Sequence, residues 1–222
     1  KLKVDNTVGS FYGYSDFKFT FEGKEAHIVA PKKSAKGNPW VWRARFWGHE
    51  PQTDIAMLER GYHIVYCDVV ELFGNQQAIN LWNNFYKSVR KLGLAKKAVL
   101  EGMSRGGVYI YNWAAVNPDK VVCTYADNPV LDMKSWPGGF GKGSGSKKTW
   151  LVYKEDYGYK TDEEAKLGKN SPLDKIDAIV KGKYPMLHLV GDIDETVPPA
   201  ENTIPFEKLI KETGGNITVI HK

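Results

Sequence analysis

The stretch from Ala98 to Val116 constrains the fold more than any other. A short apolar strand, Ala98–Leu100, runs into Gly102-Met103-Ser104-Arg105-Gly106-Gly107, and an apolar helix, Val108–Val116, follows with no loop between. Glycines two residues before and two after the serine let neighbouring backbone pass close to the turn. Strand, tight turn and helix in that order begin a βαβ crossover, the unit that builds a parallel sheet covered on both faces. A serine on such a turn lifts its hydroxyl above the end of the sheet. The free N–H groups and dipole of the new helix then face whatever reacts there.

The rest of the chain alternates in the same way, which predicts an α/β domain with a mostly parallel sheet. Phe17, Phe19 and Phe21 alternate with polar residues up to Gly23. Ala26–Ala30 and Trp40–Phe46 read as the second and third strands, and Tyr62–Val70 is a continuous apolar run suited to a buried fourth. Val121–Ala126, Pro185–Val190 and Ile217–His221 complete eight strands with Ala98–Leu100. Thr53–Arg60 predicts a short helix. Trp82, Phe85, Tyr86, Val89 and Leu92 mark one face of another, ended by Gly93, and Phe206–Ile210 lies in a third. Residues 131–184 interrupt this rhythm with Trp136-Pro137-Gly138-Gly139, a Gly/Ser/Lys run, an aromatic stretch and a helix start at Thr161. Excursions of this length are usually lids or binding loops, so the segment is expected to be lid-like.

At 222 residues the chain suits one domain, 1–222, with enough surface to bury for a core that needs no metal or disulfide. Mixed charge and 13% aromatic residues argue against disorder. The net charge of +5 comes without a Lys/Arg block, so nucleic acid is not an expected partner. No apolar run approaches the roughly 20 residues of a membrane span. No cofactor or metal motif appears. Lys1-Leu2-Lys3, without an initiator methionine, reads as a processed or trimmed end.

The second chemical signal is Gly191-Asp192-Ile193-Asp194-Glu195-Thr196-Val197-Pro198, a carboxylate-rich loop at the end of a strand. With Gly102-x-Ser104-x-Gly106 in its strand–turn–helix setting, the chain resembles the α/β-hydrolase superfamily. The resemblance implies an eight-stranded, mostly parallel sheet with Ser104 as nucleophile. It implies that Asp194 orients a catalytic histidine while Asp192 braces the loop, with Asp127 as the rival acid. In that strand order Cys67 and Cys123 lie three strands apart, about 14 Å, too far for a disulfide, so two buried free thiols are expected.

The base is the open position. His27, His63 and His188 fall in or beside strands and read as structural. His49 precedes the nucleophile and is a candidate to line the pocket with Trp136. His221 follows Asp194 in the family's order but sits on the last strand itself. The layout places the base in a loop beyond Lys222, followed by a closing helix. Oxyanion donors are expected at Arg105, directly after the nucleophile, and at Phe46 or Trp47 after the third strand. Gly-x-Ser-Arg-x-Gly is also similar to the elbow of glucuronoyl esterases, although Val108 stands where those carry Lys. With Trp47, Trp136 and Trp150 as candidate sugar platforms, the resemblance implies a carboxylesterase acting on carbohydrate-linked esters in a periplasmic or extracellular setting. Two alternatives stand beside it: a prolyl-oligopeptidase-like peptidase, against which the absence of preceding propeller repeats counts, and a hydrolase-like binding module without turnover.

Overall fold

A computed structural model describes residues 8–222; Lys1-Leu2-Lys3 lies outside them. Among the described residues one nine-stranded sheet organises the chain. Its strands are β1 (Val8–Phe11), β2 (Tyr14–Phe21), β3 (Lys24–Ala30), β4 (Trp40–Ala44), β5 (His63–Cys67), β6 (Ala98–Met103), β7 (Val121–Asp127), β8 (Pro185–Val190) and β9 (Asn216–His221). Their spatial order is β1-β2-β3-β5-β4-β6-β7-β8-β9. The first three and the β3–β5 pair are antiparallel, and every pair from β5 to β9 is parallel.

The expected eight strands are all present, and β1 is added at the edge. It is short and mostly exposed, so it carries no apolar alternation to read. A two-residue turn, Tyr12-Gly13, joins it to β2 with both residues at positive φ, the geometry that matches strand twist in a hairpin. β6 extends through Glu101 to Met103 rather than stopping at Leu100, because parallel pairing sets Glu101 beside Arg43 of β4.

Helices α1 (Gln52–Glu59), α2 (Gln76–Lys91) and α3 (Gly106–Val116) cover the centre of the sheet. α2 is the most clearly amphipathic. Asn75 caps it by accepting the Ala78 N–H at 3.0 Å, and Arg90 and Lys91 complement the dipole at its end. Its buried Trp82 stacks on Trp42 of β4 at 4.2 Å. α3 is buried nearly all round. On the opposite face α1 packs Leu58 against Val41, Ile64 and Val99. The sheet beside α1 is only partly covered towards β7, which leaves Cys123 half-buried; Cys67 is buried as expected, and both thiols are free.

Residues 131–184 fold as α4 (Lys147–Tyr157), α5 (Asp162–Leu167) and α6 (Ile176–Val180). Thr161 and Glu164 form a reciprocal capping box on α5. The aromatic residues pack into a satellite core with Phe73, Val108 and Met133. Trp136 and Trp150 are 9% and 5% exposed, which corrects their reading as exposed sugar platforms. The helix α7 (Thr203–Glu212) returns the chain to the sheet for β9.

Candidate active site

Ser104 sits at the end of β6 with φ 49°, a left-handed conformation that non-glycine residues rarely adopt. The surrounding bonds impose it. The Ser104 N–H donates to Asp127 O at 2.9 Å, while its carbonyl accepts from Val130 at 2.8 Å and Gly107 at 3.0 Å. The neighbouring glycines are required by close approach. A Cβ on Gly102 would come 2.7 Å from Gly106 O, and one on Gly106 would come 2.7 Å from Ala44 O. Ser104 therefore stands half-buried at the mouth of α3, lining a cavity of about 630 Å³.

Asp194 and Asp127 line the same cavity, as do Glu101, Asn128 and Lys222. The acid loop folds around Asp194, whose Oδ1 accepts the N–H groups of Thr196 and Val197 at 2.8 Å each. Asn128 ties this loop to β7, since its Oδ1 accepts the Gly191 N–H at 2.6 Å. Asp127 carries an ion pair instead, with Lys222 Nζ at 3.1 Å. The main chain links these strand ends in turn: Ser104 to Asp127, then Asn128 N–H to Leu189 O at 2.9 Å, then Lys222 N–H to Val190 O at 2.9 Å.

The histidines are placed as follows. His221 is exposed, and its Nδ1 lies 2.5 Å from Asp192, not Asp194. His27 sits between Asp16 and Glu25, at 2.9 and 3.1 Å. His63 faces the Pro39 carbonyl, and burial lowers its pKa. His188 is buried 2.6 Å from the Tyr111 hydroxyl, and burial lowers its pKa to about 3. His49 is exposed and outside the cavity lining. Among the described residues, no histidine lines the cavity.

The loop after β4 approaches the elbow from the other side. Arg45 and Phe46 both adopt positive φ, 67° and 49°, and the His49 N–H closes the turn on Phe46 O at 3.0 Å. The Trp47 ring is held by His27, Phe11 and Tyr66, with centroids 4.6, 4.9 and 5.3 Å away. It packs against the sheet and is not displayed as a platform. The Arg105 guanidinium lies over the Trp136 ring at 5.0 Å, so Trp136 supports Arg105 and does not line the cavity. Burial and the nearby Arg45 charge lower the Arg105 pKa.

A family model described as the prolyl oligopeptidase family matches residues 85–221, a span that carries both Ser104 and Asp194. The chain belongs to the prolyl oligopeptidase family. No curated protein matches it by sequence. Among solved structures it is similar to a puromycin-hydrolyzing peptidase of Mycobacterium tuberculosis, with TM-score 0.74 and 14% identity over 97% of this chain and 36% of that one. It is also similar to an acylaminoacyl peptidase of Pyrococcus horikoshii, with TM-score 0.70 and 16% identity over 98% of this chain and 37% of the other. An S-formylglutathione hydrolase of Agrobacterium tumefaciens gives TM-score 0.68 and 13% identity, over 97% of this chain and 89% of that one. At these identities the likeness is one of fold, the α/β-hydrolase fold of serine hydrolases. The chain thus spans little more than a third of the two peptidases.

This prolyl oligopeptidase family chain also buries a charged group that the motifs did not point to. Arg43 of β4 and Asp54 of α1 meet Glu101 of β6 from behind the cavity wall that Glu101 helps to line. Their signal in the sequence was a charged residue inside each of two apolar strands, Trp42-Arg43-Ala44 and Leu100-Glu101-Gly102. A buried strand tolerates such a residue only where a partner waits across the sheet.

Proposed function

We propose that the protein hydrolyses carboxylic esters of carbohydrates through an acyl-enzyme on Ser104. The polar side chains that share the lining of the cavity beside Ser104 with Met103, Tyr125, Leu189 and Val197 carry this reading. Gln52, Thr53, Asn128 and Thr196 present amides and hydroxyls next to Glu50 and Asp194. Such groups suit the hydroxyls of a sugar, whereas an apolar side chain is better held by a dry pocket.

In the reaction, Ser104 Oγ attacks the ester carbonyl carbon while a base takes its proton. The charge that forms on the carbonyl oxygen is received by the N–H of Arg105 and that of Phe46 or Trp47. The bond to the sugar oxygen breaks, the base returns the proton to that oxygen, and water then releases the acyl group. Asp194 orients the base. No histidine lines the cavity among the described residues, and we take the base to be one that reaches it from outside them. His221, held on Asp192, is the second candidate.

A peptidase is the second reading, favoured by the family match and by the peptidases of like fold. The test begins with a fluorophosphonate probe on the full-length protein. Wild type should label and Ser104→Ala should not; absence of labelling in wild type overturns the hydrolase reading. A panel of acetylated sugars and methyl glucuronate esters, run against peptide anilides, then decides the class. Turnover of peptides alone establishes the peptidase.

A further inference from the structure

The buried charges behind the cavity have an unbalanced count. Arg43 Nη1 contacts the Asp54 carboxylate and lies 3.4 Å from Glu101 Oε1, while Nη2 donates to the His49 carbonyl. One guanidinium thus faces two carboxyl groups. Asp54 Oδ1 and Glu101 Oε2 are both buried without a hydrogen-bond partner, and Glu101 is only 6% exposed. Ionised carboxylates are acceptors only, so neither can satisfy the other. A proton held between them makes one a donor and removes both defects.

The groups that face Glu101 leave the same conclusion. Arg43 comes from β4, Asp54 from α1, and Tyr125 and Asp127 from β7; Lys222 is engaged by Asp127. Burial, reinforced by Asp54 and opposed by Arg43, pushes the Glu101 carboxyl up to about 8. Burial also raises Asp54 against the pull of Arg43.

The same guanidinium reaches the catalytic geometry. The Arg43 bond to the His49 carbonyl suspends the turn from Phe46 to His49, which the His49 N–H closes on Phe46. Glu101 lies three residues before Ser104 on the nucleophile strand, opposite Arg43 in register. We propose that Arg43, Asp54 and Glu101 are positioning residues, a clamp closed by one shared proton that holds the oxyanion loop against the nucleophile strand. When that proton leaves, two like charges face each other in a buried site. The clamp opens, the Phe46–His49 turn loosens, and activity falls. This rests on the serine hydrolase reading given above.

The test compares full-length wild type with Glu101→Gln, which keeps the shape and a donor but cannot ionise. The rate of fluorophosphonate labelling of Ser104 is followed from pH 6 to 10. Wild type should lose about tenfold per pH unit above its alkaline midpoint, and Glu101→Gln should stay level across that range. Identical alkaline limbs overturn the proposal. If Glu101→Gln does not fold, Asp54→Asn serves in its place, since removing the second carboxylate should shift the limb in the same experiment. Infrared spectra supply a readout independent of activity. A protonated-carboxyl band should be present in wild type at neutral pH and lost in Glu101→Gln; its absence from wild type overturns the shared proton. Failure of Ser104 to label at every pH would instead overturn the hydrolase reading, and the infrared band would still decide whether the proton is there.

Discussion

Gly106 is where one added methyl group probes how the Ser104 turn is seated. Its backbone carries no left-handed strain, so alanine is conformationally acceptable there. The obstacle is packing: the new Cβ would come 2.7 Å from the Ala44 carbonyl, a backbone atom that cannot rotate aside. Overpacking of this kind costs about 1–3 kcal/mol, against a helix-propensity gain of at most about 1 kcal/mol. For a domain of this size each kcal/mol corresponds to roughly 2–4 °C in Tm, so Gly106→Ala should melt several degrees below wild type. The functional effect should be larger. Ala44 leads directly into Arg45 and Phe46, so relief of the clash displaces the proposed oxyanion donor. A shift of about 1 Å at such a position costs about a hundredfold in rate. The assays are a thermal melt and the rate of fluorophosphonate labelling. Gly158→Ala is the control: nothing lies within 4 Å of its Cβ, and only its φ of 75° is strained. That variant should lose about 1 kcal/mol and label at the wild-type rate. A Gly106→Ala protein that melts and labels like wild type would refute the close approach on which this reading of the elbow depends.

Two further outcomes follow from particular bonds. His188 is buried and neutral, with its pKa lowered by burial to about 3, against the ordinary histidine value of 6.5. Between those values the unfolded chain binds the proton and the folded one does not, so stability should fall as pH drops from 6.5 towards 3. Denaturant melts of His188→Gln against wild type should show a shallower loss over that window. Asn128→Ala removes the acceptor for the Gly191 N–H and should cost about 1–3 kcal/mol. It should also slow labelling of Ser104 without abolishing it, whereas Asn83→Ala, remote from the cavity, should leave labelling unchanged.

The fold was legible where periodicity and punctuation agreed. α2 carries its apolar face at helical spacing up to Gly93, and β5 is a plain apolar run. β1 was not legible, because three of its four residues are exposed and its hairpin turn uses tyrosine at positive φ. The helix α4 was hidden in the same way, its aromatic residues turning into a satellite core that the main sheet does not define. At the site, the elbow glycines announced Ser104 because each of them faces backbone. The acid loop was readable as a motif, yet which histidine pairs with which carboxylate is a matter of register between β8 and β9. The charged cluster behind the cavity escaped for a related reason. Arg43, Asp54 and Glu101 are far apart in the chain, and only the parallel pairing of β4 with β6 and the placement of α1 make them neighbours.

The ladder of main-chain bonds from Ser104 to Asp127, from Asn128 to Leu189 and from Lys222 to Val190 has a consequence for how this architecture can vary. Spacing between the strand ends at the site is counted in strand widths, about 4.8 Å each, and the loop after β8 adds the last step to Asp194. The chain leaves the sheet after Asp127 and returns at Pro185, and the parallel pairing of β7 with β8 sets how far apart those strand ends lie. The excursion between them, residues 131–184, meets the site at the acid loop, where the Ser144 N–H donates to the Glu195 carbonyl at 3.3 Å, and none of its residues is in the cavity lining. A change of length in the excursion is therefore felt first beside Asp194, while the sheet keeps Ser104 against Asp127.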